Sequence, residues 1–338
     1  MKYAFSFLAV IVLILIAGVG SQIAGMPYFF GVFVPYVAFA IFLGGFVYRV
    51  VQWAKSPVPF PIQTTCGQGK SLDFIKHNRL EAPDTTAEVV ARMLLEIFTF
   101  RSLFRNTKSE IHEGPRITYE SSKWLWLFGI IFHYSFLIVV IRHMRLFLNP
   151  VPEVVAFLDW FDSMFEIGVP SMYMTTAGLI GGATLLFCRR LVNRHVRYIS
   201  LMNDYFPLVL IFSIGVTGAL MRHFLRGGID IVSIKQLAVG LVTFSPVINS
   251  DIGAIFYIHV FLVSTLLIYF PFSKLMHLGG VFLSPTRNMK NNSRAVRHIN
   301  PWNPDIKPHS YAGYEDEFRE FMIEAGIPVE KELPAQKD

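Results

Sequence analysis

The sequence predicts an all-α membrane protein with six transmembrane helices. Three observations carry that reading. Of the 338 residues, 53% are hydrophobic and only 16% charged, a balance outside that of ordinary soluble domains. The apolar residues fall in long runs rather than at amphipathic spacing, and most runs approach the ~20 residues a helix needs to cross a bilayer core. The basic residues, finally, crowd the alternate flanks of those runs, as the positive-inside rule requires of a multi-pass protein.

In chain order, the spans are residues 4–20, 29–51, 124–146, 168–187, 206–221 and 252–272. Lys2 ahead of a short apolar run also fits a secretory signal; a retained helix is the reading adopted, and the other five spans do not depend on it. Residues 1–51 thus hold two N-terminal transmembrane helices. Residues 52–121 form a cytoplasmic loop that opens on SPVPFPIQ, extended because proline restricts its own backbone and that of the residue before it. The loop continues through TTAEVVARMLLEIFTFRSLFR, an amphipathic helix. Its apolar stripe is Val89, Val90, Met93, Leu94, Ile97 and Phe98, flanked by Arg92, Arg101 and Arg105. Such a helix suits the inner membrane face or the docking face of a soluble subunit. CGQGKS in the same loop fails as a phosphate-binding loop, since Thr64 stands where the pattern needs glycine and no strand precedes it. Residues 122–283 supply the remaining four helices, and residues 284–338 a polar tail without periodicity, suited to wrapping over a partner.

With the N-terminus inside, 25 of the 30 lysines and arginines lie on cytoplasmic flanks. The other five are Arg142, Arg145, Arg222, Arg226 and Lys235. Both termini are therefore expected in the cytoplasm, with the bundle in the cytoplasmic membrane. The net charge of +6 then reports topology and implies no nucleic-acid partner. The two cysteines, Cys66 and Cys188, form no CxxC or CxxCH motif. The chain has no ligand set for an iron–sulfur cluster or covalently attached haem, so any such centre belongs to a partner.

Six of the ten histidines fall in loops or the tail, whereas His133, His143, His259 and His277 sit in spans or at their immediate ends. One histidine in an apolar helix is as readily a satisfied core side chain as a ligand; two pairs argue otherwise. The third and sixth spans run in opposite directions, so side-by-side packing sets His133 beside His277 and His143 beside His259. At 1.5 Å per residue, the ten-residue spacing covers about 15 Å and the eighteen-residue spacing about 27 Å. Helix tilt and porphyrin width must absorb the difference. Two opposed imidazoles suit haem iron, while zinc or copper usually takes three or four clustered ligands. The expected fold class becomes a six-helix protein built around a dihaem helical bundle, with two b-type haems. Arg142, Arg145 and Arg222, cations on the disfavoured side, would contact haem propionates or a quinone site, or else anchor to lipid headgroups. Glu153, Asp159, Asp162 and Glu166 could relay protons there, but an ordinary solvated loop is the simpler expectation.

The ten- and eighteen-residue spacings resemble those of the cytochrome b (gamma) subunits of respiratory nitrate reductases. That resemblance implies that His133, His143, His259 and His277 ligate two haems. Over nearly the whole chain, segments such as TTCGQGKSLDFIK, EIFTFRSLFRNT, FHYSFLIVVIRHMRLF, LMNDYFPL and SPTRNMKNNSRAVRHINPWN are similar to the DsrM family. Its members are the membrane cytochromes b of DsrMKJOP complexes in dissimilatory sulfur metabolism. The extra N-terminal span departs from the nitrate reductase subunits. What the resemblance implies is menaquinone/menaquinol as redox partner and a DsrK-like cytoplasmic iron–sulfur subunit. It also implies an extracytoplasmic multihaem cytochrome c, an extracytoplasmic iron–sulfur subunit and a second membrane subunit. Electrons would pass between menaquinol near the outer face and the cytoplasmic iron–sulfur partner. The competing class is a six-helix transporter or structural anchor without haem; the sequence contains no internal repeat of the kind common in transporters.

Overall fold

The long apolar runs become long helices in the structure, a computed structural model describing residues 2–56, 68–104, 108–114, 116–225, 230–292, 296, 305 and 307–331. SPVPFPIQ after its first residue, Cys66, Arg105, Arg226 and most of INPWNPD lie outside the described residues. The principal helices are α1 (Lys2–Gly20), α2 (Met26–Lys55), α3 (Thr86–Thr99), α4 (Lys123–Phe147), α5 (Glu153–Ser163), α6 (Met174–Val192), α7 (Met202–Phe224), α8 (Ile231–Val242), α9 (Ala254–Phe272) and α10 (Tyr311–Glu324). Among the described residues, five helices are long and apolar enough to cross a bilayer: α1, α2, α4, α7 and α9. The chain is a multi-pass membrane protein, mostly helical.

The fourth expected span, residues 168–187, starts later than its hydropathy suggests. Gly168 adopts φ +91°, a left-handed conformation that glycine takes without penalty. The chain around it turns through a short antiparallel pair, Glu166–Ile167 with Met172–Tyr173. Helix α6 begins only at Met174, and Arg189 and Arg190 occupy its last turn. Its apolar stretch is consequently shorter than those of the other five. A second hairpin, Lys108–His112 with Arg116–Glu120, adds the only other strands among the described residues; neither hairpin was expected.

Packing brings α6 between α4 and α7, with α1 and α9 against α7 and α2 over α9. The α4–α6 contact is close because Gly178 and Gly182 face α4. A Cβ at Gly182 would lie 3.0 Å from the Phe132 backbone, so small residues four apart let the two helices approach. Val10, Phe132, Leu179, Leu210 and Leu262 join α1, α4, α6, α7 and α9 in one apolar core. Outside it, large apolar side chains such as Leu15, Phe39, Leu43 and Leu137 stay exposed, as a surface facing acyl chains must. Helix α8, at 12 residues, is too short to span and packs on α4.

The expected amphipathic helix is present and leaves part of its apolar stripe exposed, as a membrane or docking face requires. Thr85 caps α3 through the Glu88 N–H, and Glu88 returns the contact to the Thr85 N–H. Arg92 and Glu96 are buried, whereas Val90, Leu94 and Phe98 are exposed. The cause is a set of polar partners that the helix pattern alone does not reveal. Glu96 accepts the Ser102 N–H at 3.1 Å and its hydroxyl. Arg92 donates to the Glu81 carbonyl at 3.2 Å, and Arg287 lies 3.9 Å from Glu96. The Asn291 N–H donates to the Pro83 carbonyl at 2.6 Å. The segment after residue 284 thus folds back onto α3. The tail also contains α10, where buried Glu315 accepts the N–H groups of Glu330 and Lys331, both at 2.8 Å.

Candidate cofactor site

Helices α4 and α9 bring the four histidines together in two pairs. The imidazole centroids of His143 and His259 are 6.3 Å apart with rings 13° from parallel. Those of His133 and His277 are 5.9 Å apart at 83°. Along α4 the pairs are ten residues apart, about 15 Å. The longer spacing on the partner side is resolved by a break in the helix. Pro271 lacks an N–H, and Ser273 is extended, with φ −122° and ψ 176°. His277 therefore stands at the end of the short turn Lys274–Met276 rather than on a continuation of α9. The expected spacing of about 27 Å along one continuous helix is corrected accordingly.

Each ring is oriented through Nδ1. His133 donates to the Gly129 carbonyl at 2.7 Å, His143 to the Val139 carbonyl at 2.7 Å and His277 to the Lys274 carbonyl at 2.9 Å. His259 is the exception, its Nδ1 lying 2.9 Å from the Thr217 hydroxyl of α7. That hydroxyl reaches the carbonyls of Ser213 at 2.9 Å and Ile214 at 3.0 Å. With the His259 proton on Nδ1, as on the other three rings, the Thr217 proton turns to one of these carbonyls and its oxygen accepts from His259. Carbonyl acceptors fix the proton on Nδ1 and leave the Nε2 lone pair for a ligand. The Lys274 turn is itself held by a 2.7 Å ion pair with Asp204, whose other oxygen accepts the Leu201 N–H. Phe100 and Phe132 present ring edges to His133, and a Cβ at Gly218 would crowd His259 at 3.3 Å.

Whether these residues fit an axial metal can be judged from the spacing. Two metal–nitrogen bonds of about 2.0 Å, each extended by ~1.1 Å from nitrogen to ring centre, put facing centroids roughly 6.2 Å apart. The two measured separations bracket that figure, so the imidazole pairs fit the axial ligation of haem iron. Among the described residues, no three His, Cys, Asp or Glu side chains converge on a common point. The chemistry available is therefore that of paired imidazoles.

Beside His143, α4, α5 and the turn before α6 build a dense charged cluster. Arg142 is buried and donates to Asp159 at 2.8 Å and to Asp162 at 2.5 Å. Arg145 donates to the other Asp159 oxygen at 2.6 Å, and Arg222 lies 3.7 Å from Asp159. The Arg142 and Arg222 guanidiniums lie 4.3 and 4.9 Å from the centre of the Tyr173 ring. Its hydroxyl accepts from Arg222 at 2.7 Å. Asp162 is only 2% exposed and also accepts the Thr175 N–H and hydroxyl. Burial opposes ionisation of Asp159, but the Arg142 hydrogen bond and the charges of Arg145, Arg142 and Arg222 hold its carboxyl below the usual range. The solvated-loop expectation is thus corrected for Asp159 and Asp162, while Glu153 and Glu166 remain exposed. The three arginines are gathered at one site next to the His143–His259 pair, with their charge largely answered inside the protein.

Residues 95–298 match the family described as nitrate reductase gamma subunit, more than half of the chain. The chain belongs to that family. The matched stretch carries all four histidines, the arginine–aspartate cluster and α3 from its last turns onward. Two relatives are both described as Hdr-like menaquinol oxidoreductase cytochrome b-like subunits. The one from Archaeoglobus fulgidus is 48% identical over 286 residues, covering 82% of this chain and 85% of its own length. The one from Archaeoglobus profundus is 40% identical over 278 residues, covering 80% and 82%. Sequence reasoning missed Thr217, Tyr173 and Thr175. A hydroxyl inside an apolar span was the signal for Thr217, though nothing local says which ring it serves.

Proposed function

We propose that the chain is the membrane cytochrome b subunit of a menaquinol-linked respiratory complex, with two bis-histidine b haems. His143 and His259 would ligate the haem near the outer face, and His133 and His277 the one near the cytoplasm. The observation that carries this reading is the geometry of the two imidazole pairs, each with Nδ1 tied to an acceptor and a separation suited to one metal. When bound, each haem would supply a one-electron centre held by a pair of imidazoles, a ligand set that suits electron transfer and disfavours oxygen binding.

The chain's own residues do the rest. The Gly129, Val139 and Lys274 carbonyls and the Thr217 hydroxyl orient the rings and set ligand basicity. Three guanidiniums against the Asp159 and Asp162 carboxylates leave the outer cluster with one net positive charge, suited to a haem propionate or an oxygen of menaquinol. Arg222, at the edge of the cluster, is the best placed of the three to meet it. Helix α6 would complete six spans, its two terminal arginines on the cytoplasmic side with both termini. Electrons would pass between menaquinol at the outer face and a DsrK-like iron–sulfur subunit at the cytoplasmic face. An extracytoplasmic multihaem cytochrome c, an iron–sulfur subunit and a second membrane subunit would complete a DsrMKJOP-type complex of sulfur metabolism. The extended similarity to DsrM, and the menaquinol oxidoreductase description of the two relatives, support this assignment.

A reduced-minus-oxidised spectrum of the purified chain, with haem quantified after extraction, tests the proposal. Two b haems per chain are expected. A preparation folded by thermal and size criteria but without a Soret band would return the chain to the transporter or anchor class.

A further inference from the structure

We infer that α3 is a re-entrant membrane-surface helix: its Val90, Leu94 and Phe98 face is seated in lipid acyl chains, and its C-terminal end dips below the interface. Three observations meet here. First, the helix buries two of its three charged side chains, Arg92 and Glu96, against its own chain and turns an apolar row at i, i+4 and i+8 outward.

Second, the depth of its C-terminal end can be read from α4. The Trp126 indole N–H donates to the Thr99 carbonyl and the Tyr134 hydroxyl to the Phe98 carbonyl, both at 2.7 Å. Those donors are eight residues apart, about 12 Å along the helix, and bracket the end of α3 well past Lys123. The last carbonyls of a helix lack intrahelical partners, and at that depth water is not there to satisfy them. Trp126 and Tyr134 supply what a lipid-immersed helix end needs.

Third, the exposed row continues an established lipid-facing surface. Tyr134 and Leu137 on α4 are themselves exposed, and Phe98 is joined to them through the Tyr134 bond. Phe100, at φ +50°, then reverses the chain so that its ring meets His133. The lipid-seated helix thereby carries one wall of the inner imidazole pair. A soluble partner on this face would have to compete with the bilayer that the face adjoins.

The wild-type chain in phosphatidylcholine–phosphatidylglycerol vesicles, photolabelled with a lipid-soluble aryl diazirine and mapped by peptide mass spectrometry, provides the test. Labelling of Val90, Leu94 and Phe98 should match that of Leu137 and exceed that of Phe74 in the preceding loop by at least about fivefold. Labelling at the level of Phe74 would overturn the inference. A second measurement uses nitroxide-labelled Leu94→Cys in a Cys66→Ser/Cys188→Ser background. Oxygen should broaden its spectrum and a water-soluble nickel chelate should not; the reverse would place the face in water. Protection from both reagents would place it under protein and would equally overturn the lipid seat. Neither readout depends on haem, so the proposed function stands or falls separately.

Discussion

Thr217→Val should raise the midpoint potential of one haem and leave the other alone. Valine keeps the shape and β-branching of threonine, so the perturbation is the loss of one acceptor. With the Thr217 proton turned to the Ser213 or Ile214 carbonyl, its oxygen accepts the His259 Nδ1–H at 2.9 Å. An N–H that donates makes imidazole a stronger donor to the metal and favours the more positive, oxidised state. Loss of a hydrogen bond of about 1 kcal/mol corresponds to about 40 mV for one electron, taking 59 mV per tenfold change. That is an upper bound, since only the difference between oxidation states counts. Spectroelectrochemical titration should show an upward shift of a few tens of millivolts in the haem that His143→Ala removes. Thr217→Ser, which restores the hydroxyl, should titrate like wild type. A shift confined to the other haem, or no shift in either, would refute the assigned role of the hydroxyl.

Other consequences follow from the charged cluster and the helix contacts. Asp162→Ala removes an acceptor for buried Arg142 and for the Thr175 N–H and hydroxyl, a loss of about 3 kcal/mol that thermal unfolding in detergent should register. Asp159, held below the ordinary carboxylate range by its three arginines, contributes stability above the unfolded pKa of about 4 that is lost as pH falls through its lower folded value. Apparent melting temperature should therefore show no Asp159-dependent change from pH 8 to 5 and a decline below pH ~4 that is smaller in Asp159→Asn. Gly182→Leu has no room against the Phe132 backbone, where even a Cβ would sit at 3.0 Å. It should destabilise the α4–α6 contact by about 3 kcal/mol or more, seen as a lowered melting temperature.

How much of this was legible beforehand follows from which interactions are local. Span positions are a property of consecutive residues, so the five spanning helices α1, α2, α4, α7 and α9 follow the hydropathy closely. Histidines are rare at membrane depth, so His133, His143, His259 and His277 stood out before any packing was known. The start of α6 was misplaced because Gly168 and the strand pair beyond it interrupt an otherwise apolar run. The buried flank of α3 was not legible for a different reason. Arg92 and Glu96 look like a solvated edge until residues 284–291, nearly two hundred positions later, fold onto them. Asp162 resembled a loop acid because its partners, Arg142 and Thr175, lie 20 and 13 residues away. The Gly178–Gly182 spacing was visible in the sequence, but it names no partner helix.

The proposed function rests on two independent haem sites, each made by one histidine from α4 and one from the α9 side. Haem content and potentiometric titration of the wild type, His143→Ala and His277→Ala test it most directly. Two b haems per chain in the wild type, and one in each variant with a different potential missing, is the predicted result. No haem in the wild type, or loss of both haems in each variant while the protein remains folded, would contradict it.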